Sequence, residues 1–441
     1  MPVVDVDADE LRRLTGHEEK DDDELIDDLF ALGLEYEGET EDGDLQLEFG
    51  PDRLDRLSVE GVARSLRYQY GDDRGVYVPT TNDPDWTIEV EESVPDERPY
   101  VTGAVIRGVD LDDAALDSLI QLQEKLHATM GRKRAKGAIG IHDLTMLKGE
   151  MLREDGRDGH AITYRGVDPE GDRFVPLDSD AEMTPAQVLD EHPTGETYAP
   201  IVAEYGRYPA IYDEIGLFSF PPVINGRRTE VSTDSRDLFV ELTGTDQWTI
   251  DRMCNVICYA LDARGATVEA VEVAYPEGTL RRPDFEVETK TVAHGRIEGM
   301  LGIDLDVEET VDLFERSGLD VDVEDGDGTT AYEVSIPPYR TDVLHPLDLI
   351  EDVGRAYEFN ELDPRYPDVA TVGGRHERST LEAAARTSLV GLGFEDLLNF
   401  HMISEVENYE RMGVAPGTPV VGGAAPVTIT EPYSEDYTML R

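Results

Sequence analysis

The sequence predicts a multidomain α+β protein, on three observations. Its 441 residues exceed one ordinary domain, so length alone calls for two to four. Hydrophobic residues make up 39% of it, and Gly and Pro are dispersed without period, as in a globular chain. Apolar residues at helical spacing and apolar residues in strand-like alternation succeed one another irregularly along its length.

Residues 1–75 read as a small α+β unit. A helix follows Asp7 with Leu11 and Leu14; a second carries Leu25, Leu29 and Leu32 and is ended by Gly33. Leu45, Leu47 and Phe49 alternate as a half-buried strand, and a further helix follows Asp52 with Leu54, Leu57 and Leu66. The polar stretch 70–85, with Gly71, Gly75, Pro79 and Pro84, marks a boundary.

Residues 86–280 read as mixed α+β. Strands are expected over 87–90 and 101–106, and a helix over 112–130 closed by Gly131 as a left-handed cap. Residues 149–161 read as a surface loop. Strands over 217–224 and 237–243 follow, with Asn225-Gly226 between them as a hairpin signal, then a helix over 249–263. A third unit, 285–362, has helices over 294–301 and 307–317, a hairpin at 324–328 and a helix opened by Pro346. A fourth, 373–441, has a helix over 377–392 and strands over 395–400 and 427–430, and reads as incomplete at Arg441.

Charge is the loudest feature: 97 acidic residues against 39 basic, net −58. Repulsion of that size destabilises a compact chain in dilute buffer, whereas molar salt shrinks the Debye length to ~3 Å. A salt-rich cytosol is the simplest cause, because the acids are spread along every segment and not gathered into a tail. No basic region followed by an apolar run opens the chain, and no apolar stretch approaches the ~20 residues of a membrane helix. The expectation is a cytoplasmic protein that does not span a membrane. Cys254 and Cys258, four apart in an apolar helix, read as buried small hydrophobes.

Three groups of residues carry possible chemistry. Arg132, Lys133, Arg134 and Lys136 cluster at a helix end in a chain whose only other lysines are Lys20, Lys125, Lys148 and Lys290. Phosphate contacts suit that grouping slightly better than helix capping does. Asp348, Glu351 and Asp352 share one face of the helix after Pro346, with Asp342 just before it. Such oxygens suit Mg²⁺, although in so acidic a chain spacing alone favours simple helix-start carboxylates. Ser219, Asn225, Glu241 and Thr243 sit at or beside strand ends, where pockets form but turn chemistry is commoner. No P-loop, dinucleotide fingerprint, zinc spacing or nucleophile elbow is present.

Three stretches together resemble the β subunit of archaeal and eukaryotic phenylalanyl-tRNA synthetase, in order and spacing over essentially the whole chain. They are Lys125-Leu-His through Ala138-Ile-Gly-Ile-His-Asp143; Phe220-Pro-Pro-Val-Ile-Asn-Gly226 with Thr243-Gly-Thr-Asp246; and Ile336-Pro-Pro-Tyr-Arg-Thr-Asp342 running to Tyr357. The resemblance implies that Asp342, Asp348, Glu351 and Asp352 hold Mg²⁺ at a contact with the α subunit, in a winged-helix-like domain. It implies that residues 86–280 form the module that hydrolyses tyrosine wrongly attached to the phenylalanine tRNA, with Glu241 or Thr243 meeting the tyrosine hydroxyl. It also implies that 373–441 is part of a class II synthetase-like antiparallel sheet module without an aminoacylation site. The expected partners are the α subunit, which binds ATP, in an α₂β₂ heterotetramer, and the tRNA. A freestanding editing protein is disfavoured, having no use for partner-facing carboxylates; a scaffold subunit without a working editing site has the same composition.

Overall fold

Aspartates start half of the described α-helices of eight or more residues. Asp7, Asp21, Asp112, Asp246 and Asp306 each accept a hydrogen bond from the third backbone N–H of the helix that follows, so part of the acidic excess serves as N-caps. The protein is described from a computed structural model covering residues 3–50, 52–152, 158–326, 329–362, 364, 366, 373–430, 432 and 434–440. It divides into two units, 1–363 and 364–441.

The first unit opens with β1 (Val3–Val6), α1 (Ala8–Thr15), α2 (Asp22–Ala31), β2 (Leu34–Glu39), β3 (Leu45–Phe49) and α3 (Val59–Tyr70). The strands pair in the order β1-β3-β2. The leucines at helical spacing are inward as expected: Leu11, Leu25, Leu29 and Leu66 are buried. They belong to a core that continues without a break through Ala104, Leu122, Leu242, Ile257 and Val268 to Tyr339.

Two sheets dominate the middle. One contains β4 (Trp86–Val90); the other contains β5 (Tyr100–Arg107), which precedes α4 (Asp113–Ala128) and β6 (Gly137–Asp143). The chain continues through β7 (Glu150–Leu152), β8 (Asp158–Val167), α5 (Pro185–Glu191), α6 (Pro193–Val202), β9 (Tyr208–Tyr212), β10 (Leu217–Phe220), β11 (Ile224–Asn225), β12 (Asp237–Gly244), α7 (Gln247–Ala263), β13 (Thr267–Glu269), β14 (Val271–Tyr275) and β15 (Gly278–Arg282). The smaller sheet runs β13-β5-β12-β6; the larger runs β11-β10-β9-β8-β4-β14-β15, with β7 paired to β8. Along β12 the side chains alternate: Leu238, Val240 and Leu242 enter the core under α7, while Phe239 packs on Trp86 of the larger sheet. Glu241 and Thr243 share the face of Phe239, which directs two polar residues into the seam between the sheets.

Several expectations are corrected here. Strand 217–224 is two strands, because the chain reverses at Pro221-Pro222-Val223 and β10 pairs with β11. Asn225-Gly226 is therefore no hairpin turn; it lies where the chain leaves the larger sheet for the smaller one. Gly131 is not a left-handed cap. A Cβ there would meet the Gly137 carbonyl oxygen at 2.5 Å, so glycine serves close backbone approach, and the left-handed residues are Arg132, Lys133 and Arg134. Helices α5 and α6 lay outside the sequence reading. The loop expected over 149–161 falls partly outside the described residues, and β7 and β8 occupy its ends. Cys254 and Cys258 are free and buried, as expected.

The first unit closes with β16 (Glu288–Ala293), α8 (His294–Leu301), α9 (Val307–Glu315), β17 (Asp320–Gly326), β18 (Thr329–Ile336) and α10 (Pro346–Ala356). Its sheet order is β16-β18-β17, and Ile297, Phe314, Tyr332 and Val353 fill its core. The second unit holds α11 (Glu377–Gly391), β19 (Met402–Ile403), β20 (Val427–Thr428) and β21 (Met439–Leu440), ordered β19-β21-β20. No strand forms over 395–400, where Phe400 meets Tyr437 edge-on with centroids 5.8 Å apart, and α11 buries none of its residues. Among the described residues no helix is long and apolar enough to cross a membrane.

Candidate editing site, carboxylate cleft and basic loop

The seam between the two sheets brings together three of the four strand-end residues. Ser219 Oγ lies 2.8 Å from Glu241 Oε1 and 3.1 Å from Asn225 Oδ1. A register irregularity between Leu217 and Ser219 on the β9 side re-aims the serine. Glycines flank the carboxylate on both neighbouring strands, Gly103 on β5 and Gly140 on β6. A Cβ at Gly140 would stand 2.2 Å from Glu241 Oε1, so the carboxylate fits only over bare backbone. Ser219 and Glu241 are fully buried, and Asn225 is the member that reaches solvent.

Thr243 lies apart from this group. Its hydroxyl accepts from Arg98 Nε at 2.8 Å and its carbonyl from Arg98 Nη2 at 2.7 Å. Arg98 is wholly buried, and its Nη1 reaches the carbonyls of Arg134 and Ala135, tying the loop after α4 to β12. Burial holds the Arg98 guanidinium below the usual arginine range. Sequence reasoning missed both Arg98 and His142. The His142 ring is buried on β6, Nδ1 2.8 Å from Thr229 Oγ1 and Nε2 3.6 Å from Glu241 Oε1. A histidine alternating with Ile139 and Ile141 was the available signal.

The basic residues divide into two kinds. Arg134 is committed internally: it donates to the Val223 carbonyl at 3.0 Å and to Glu124 at 2.9 Å, and stacks over Tyr198 at 4.2 Å. Lys136 lies 3.5 Å from Asp246. Arg132 and Lys133 are exposed and line a groove with Tyr198, Thr197 and Ile201. His127 is occupied too, accepting from the Ile139 N–H at 2.8 Å and facing Glu124. The hydrogen bond between His127 Nδ1 and Glu124 at 3.2 Å, helped by Arg134 against burial, holds the Glu124 carboxyl at about 2.

Asp342, Asp348, Glu351 and Asp352 line one small cleft with Asp52, Arg53 and Arg355. Each is already engaged. Arg340 grips Asp342 through Nε and Nη2 at 2.9 and 2.6 Å and reaches Asp352 at 2.7 Å. Asp348 accepts from the Leu344 and His345 N–H groups at 2.8 and 2.7 Å, capping α10. Glu351 holds Arg355 at 2.6 Å. Burial raises Asp352 despite Arg340, whereas at Asp342 the guanidinium outweighs burial and the carboxyl is held low. The donors have the oxygen chemistry Mg²⁺ takes, but among the described residues no three acidic, histidine or cysteine side chains converge to hold an ion. As placed, the cleft does not fit the metal, and Arg340 supplies the positive charge between two of its carboxylates.

Residues 290–359 match the tRNA synthetase B5 domain, and residues 362–441 match the phenylalanyl-tRNA synthetase beta chain CLM domain. The fold and these two modules define an aminoacyl-tRNA synthetase chain. The chain is 70% identical over its whole length to the phenylalanine–tRNA ligase beta subunit of Halorubrum lacusprofundi and 69% identical to that of Natronomonas pharaonis, spanning 77% of each. A crystal structure of an N-terminal fragment of the phenylalanyl-tRNA synthetase beta subunit from Pyrococcus horikoshii superposes with a TM-score of 0.74 at 30% identity, covering 81% of this chain and 99% of that one. The chain belongs to the phenylalanine–tRNA ligase beta-subunit family.

Proposed function

We propose that this chain removes tyrosine from mischarged phenylalanine tRNA while an α subunit, carrying the ATP site, attaches phenylalanine. The assembly is an α₂β₂ heterotetramer in a salt-rich cytoplasm, and residues 86–280 are the editing module. The observation that carries the reading is the buried Ser219–Glu241 pair at the sheet seam, opened to solvent at Asn225. A phenylalanine pocket rejects an added hydroxyl poorly, so discrimination needs a second site whose buried polar groups want that hydroxyl. Ester hydrolysis there needs an oriented water more than a nucleophile, which agrees with a serine bonded to a carboxylate and to no histidine. Arg132 and Lys133, the exposed members of the basic loop, are the tRNA phosphate contacts of this reading.

The test is hydrolysis of tyrosyl- and phenylalanyl-tRNA by the purified chain in ~3 M KCl, where self-repulsion is screened. Cleavage of the tyrosyl ester alone is expected. A second reading, a scaffold subunit without editing, is favoured by the closure of Ser219 and Glu241 to solvent; it predicts no cleavage even with the α subunit added.

A further inference from the structure

Two arginines of this acidic chain have only neutral partners. Arg56 is buried; its Nε donates to Ser65 Oγ at 3.0 Å and its Nη1 to the Leu32 carbonyl at 2.8 Å. Arg316, just after α9, donates through Nη2 to the Gln69 carbonyl at 3.0 Å. Neither forms an ion pair among the described residues, in a chain where 97 acidic residues stand against 39 basic ones. Both line one cavity of about 40 Å³ with Arg53 and Arg355, where residues 1–75 meet residues 285–362. Among the described residues Asp352 is the only carboxylate that lines it, and Arg340 already holds that group at 2.7 Å.

An arginine has donors and no acceptor, so the role of each nitrogen is fixed. Arg56 Nη2, Arg53 Nη1 and the Nε and Nη1 of Arg316 donate to nothing among the described residues, and none of them is sealed from solvent. Arg355 is spent on Glu351 and on the Leu32 carbonyl, where its Nη1, at 3.2 Å, shares one oxygen with Arg56 Nη1. Two like charges therefore converge on a neutral acceptor. Burial first, and then the charge of Arg53, push Arg56 down to about 9, although Asp55 pulls the other way.

An anion is what relieves such a cluster. The acidic surface opposes its approach, but in molar salt that repulsion is screened within ~3 Å and the guanidiniums at hand decide. Free N–H groups on three separate guanidiniums match the several oxygens of a phosphate group better than one halide. The cavity exceeds the ~10–15 Å³ that one water needs and falls far short of the ~300 Å³ of a pocket for a larger organic ligand.

We infer that Arg53, Arg56 and Arg316 form an anion site that takes one phosphate group, and that the bound group ties residues 1–75 to residues 285–362. The site does not depend on the editing reading.

The experiment is equilibrium dialysis of radiolabelled inorganic phosphate, and separately of labelled AMP, against the full chain in ~3 M KCl. Wild type should bind one equivalent saturably. Arg316→Gln should weaken binding at least ~10-fold, the worth of one hydrogen bond to a charged group. Arg56→Gln should do the same, and Arg316→Gln keeps the test open if that buried variant does not fold. Hydrogen exchange around Arg56 and around Arg316 should slow on binding in wild type and not in Arg316→Gln. The double variant Arg132→Ala, Lys133→Ala should bind as wild type does. Binding of inorganic phosphate identifies the free anion, binding of AMP the terminal phosphate of a nucleotide, and either supports the site. No saturable binding to wild type, unchanged binding in a folded Arg316→Gln or Arg56→Gln, or an equal loss in the double variant overturns it. Hydrogen exchange that binding leaves unchanged overturns the tie between the two parts.

Discussion

Arg340 and Asp352 form a buried ion pair, Nη2 to Oδ2 at 2.7 Å, and the same nitrogen lies 2.6 Å from Asp342. One guanidinium thus keeps two buried carboxylates apart. Arg340→Met would leave them facing each other in a low-dielectric pocket, the situation in which removing one partner costs about 3–5 kcal/mol. Urea denaturation of the variant in KCl, read by circular dichroism, should show a loss of that size; a loss below about 1 kcal/mol would mean that solvent reaches the cleft and screens the pair.

Thr243 is expected to behave as a structural residue. Thr243→Val keeps the shape but withdraws the acceptor from Arg98 Nε in a fully buried environment. An unpaired donor there costs about 1–3 kcal/mol. The check is again the unfolding midpoint, and an unchanged midpoint would return Thr243 to the list of ligand-contacting groups.

Exposed Arg132 and Lys133 differ from tethered Arg134 in what their loss should do. Removing two phosphate contacts should weaken tRNA binding and reduce the slope of log K against log[KCl] by about 1.4 to 1.8. A filter-binding series across KCl concentrations on the double alanine variant measures this. An unchanged slope would leave the loop as a structural feature only.

Acid should weaken the contact between α4 and this loop. Glu124 is held at about 2, below the ordinary 4.5, first by His127 and then by Arg134. A depressed carboxyl contributes stability above its unfolded value and loses it as pH falls through the folded one, so the window is from about 4.5 down to about 2. The group is half exposed, which keeps the effect modest. Glu124→Gln should flatten the acid limb of the stability profile in that window and leave the neutral region nearly parallel to wild type.

Legibility in the sequence followed periodicity. Helices with apolar stripes, such as α7, α8 and α10, appear within a few residues of their expected bounds, because a buried stripe needs one spacing and little else. The carboxylates after Pro346 do meet in one cleft, as one helix face dictates. What could not be read depends on contacts distant in sequence. Arg340 lies two residues before Asp342, yet its grip on Asp352 requires α10 to fold back. His142 and Glu241 come from adjacent strands 99 positions apart in numbering, and only the β6–β12 register makes them neighbours. The Asn225-Gly226 error has the same origin: a turn-forming dipeptide says that the chain bends, not which sheet receives it.

The unbroken core from Val4 to Tyr339 also fixes an order of events during synthesis. The core to which the first leucines to leave the ribosome, Leu11, Leu25 and Leu29, belong is complete only after Val268 and Tyr339 have emerged more than two hundred residues later. Until then the nascent N-terminal segment must stay soluble with an apolar face open, and the dense acidic charge around it is what keeps neighbouring nascent chains apart.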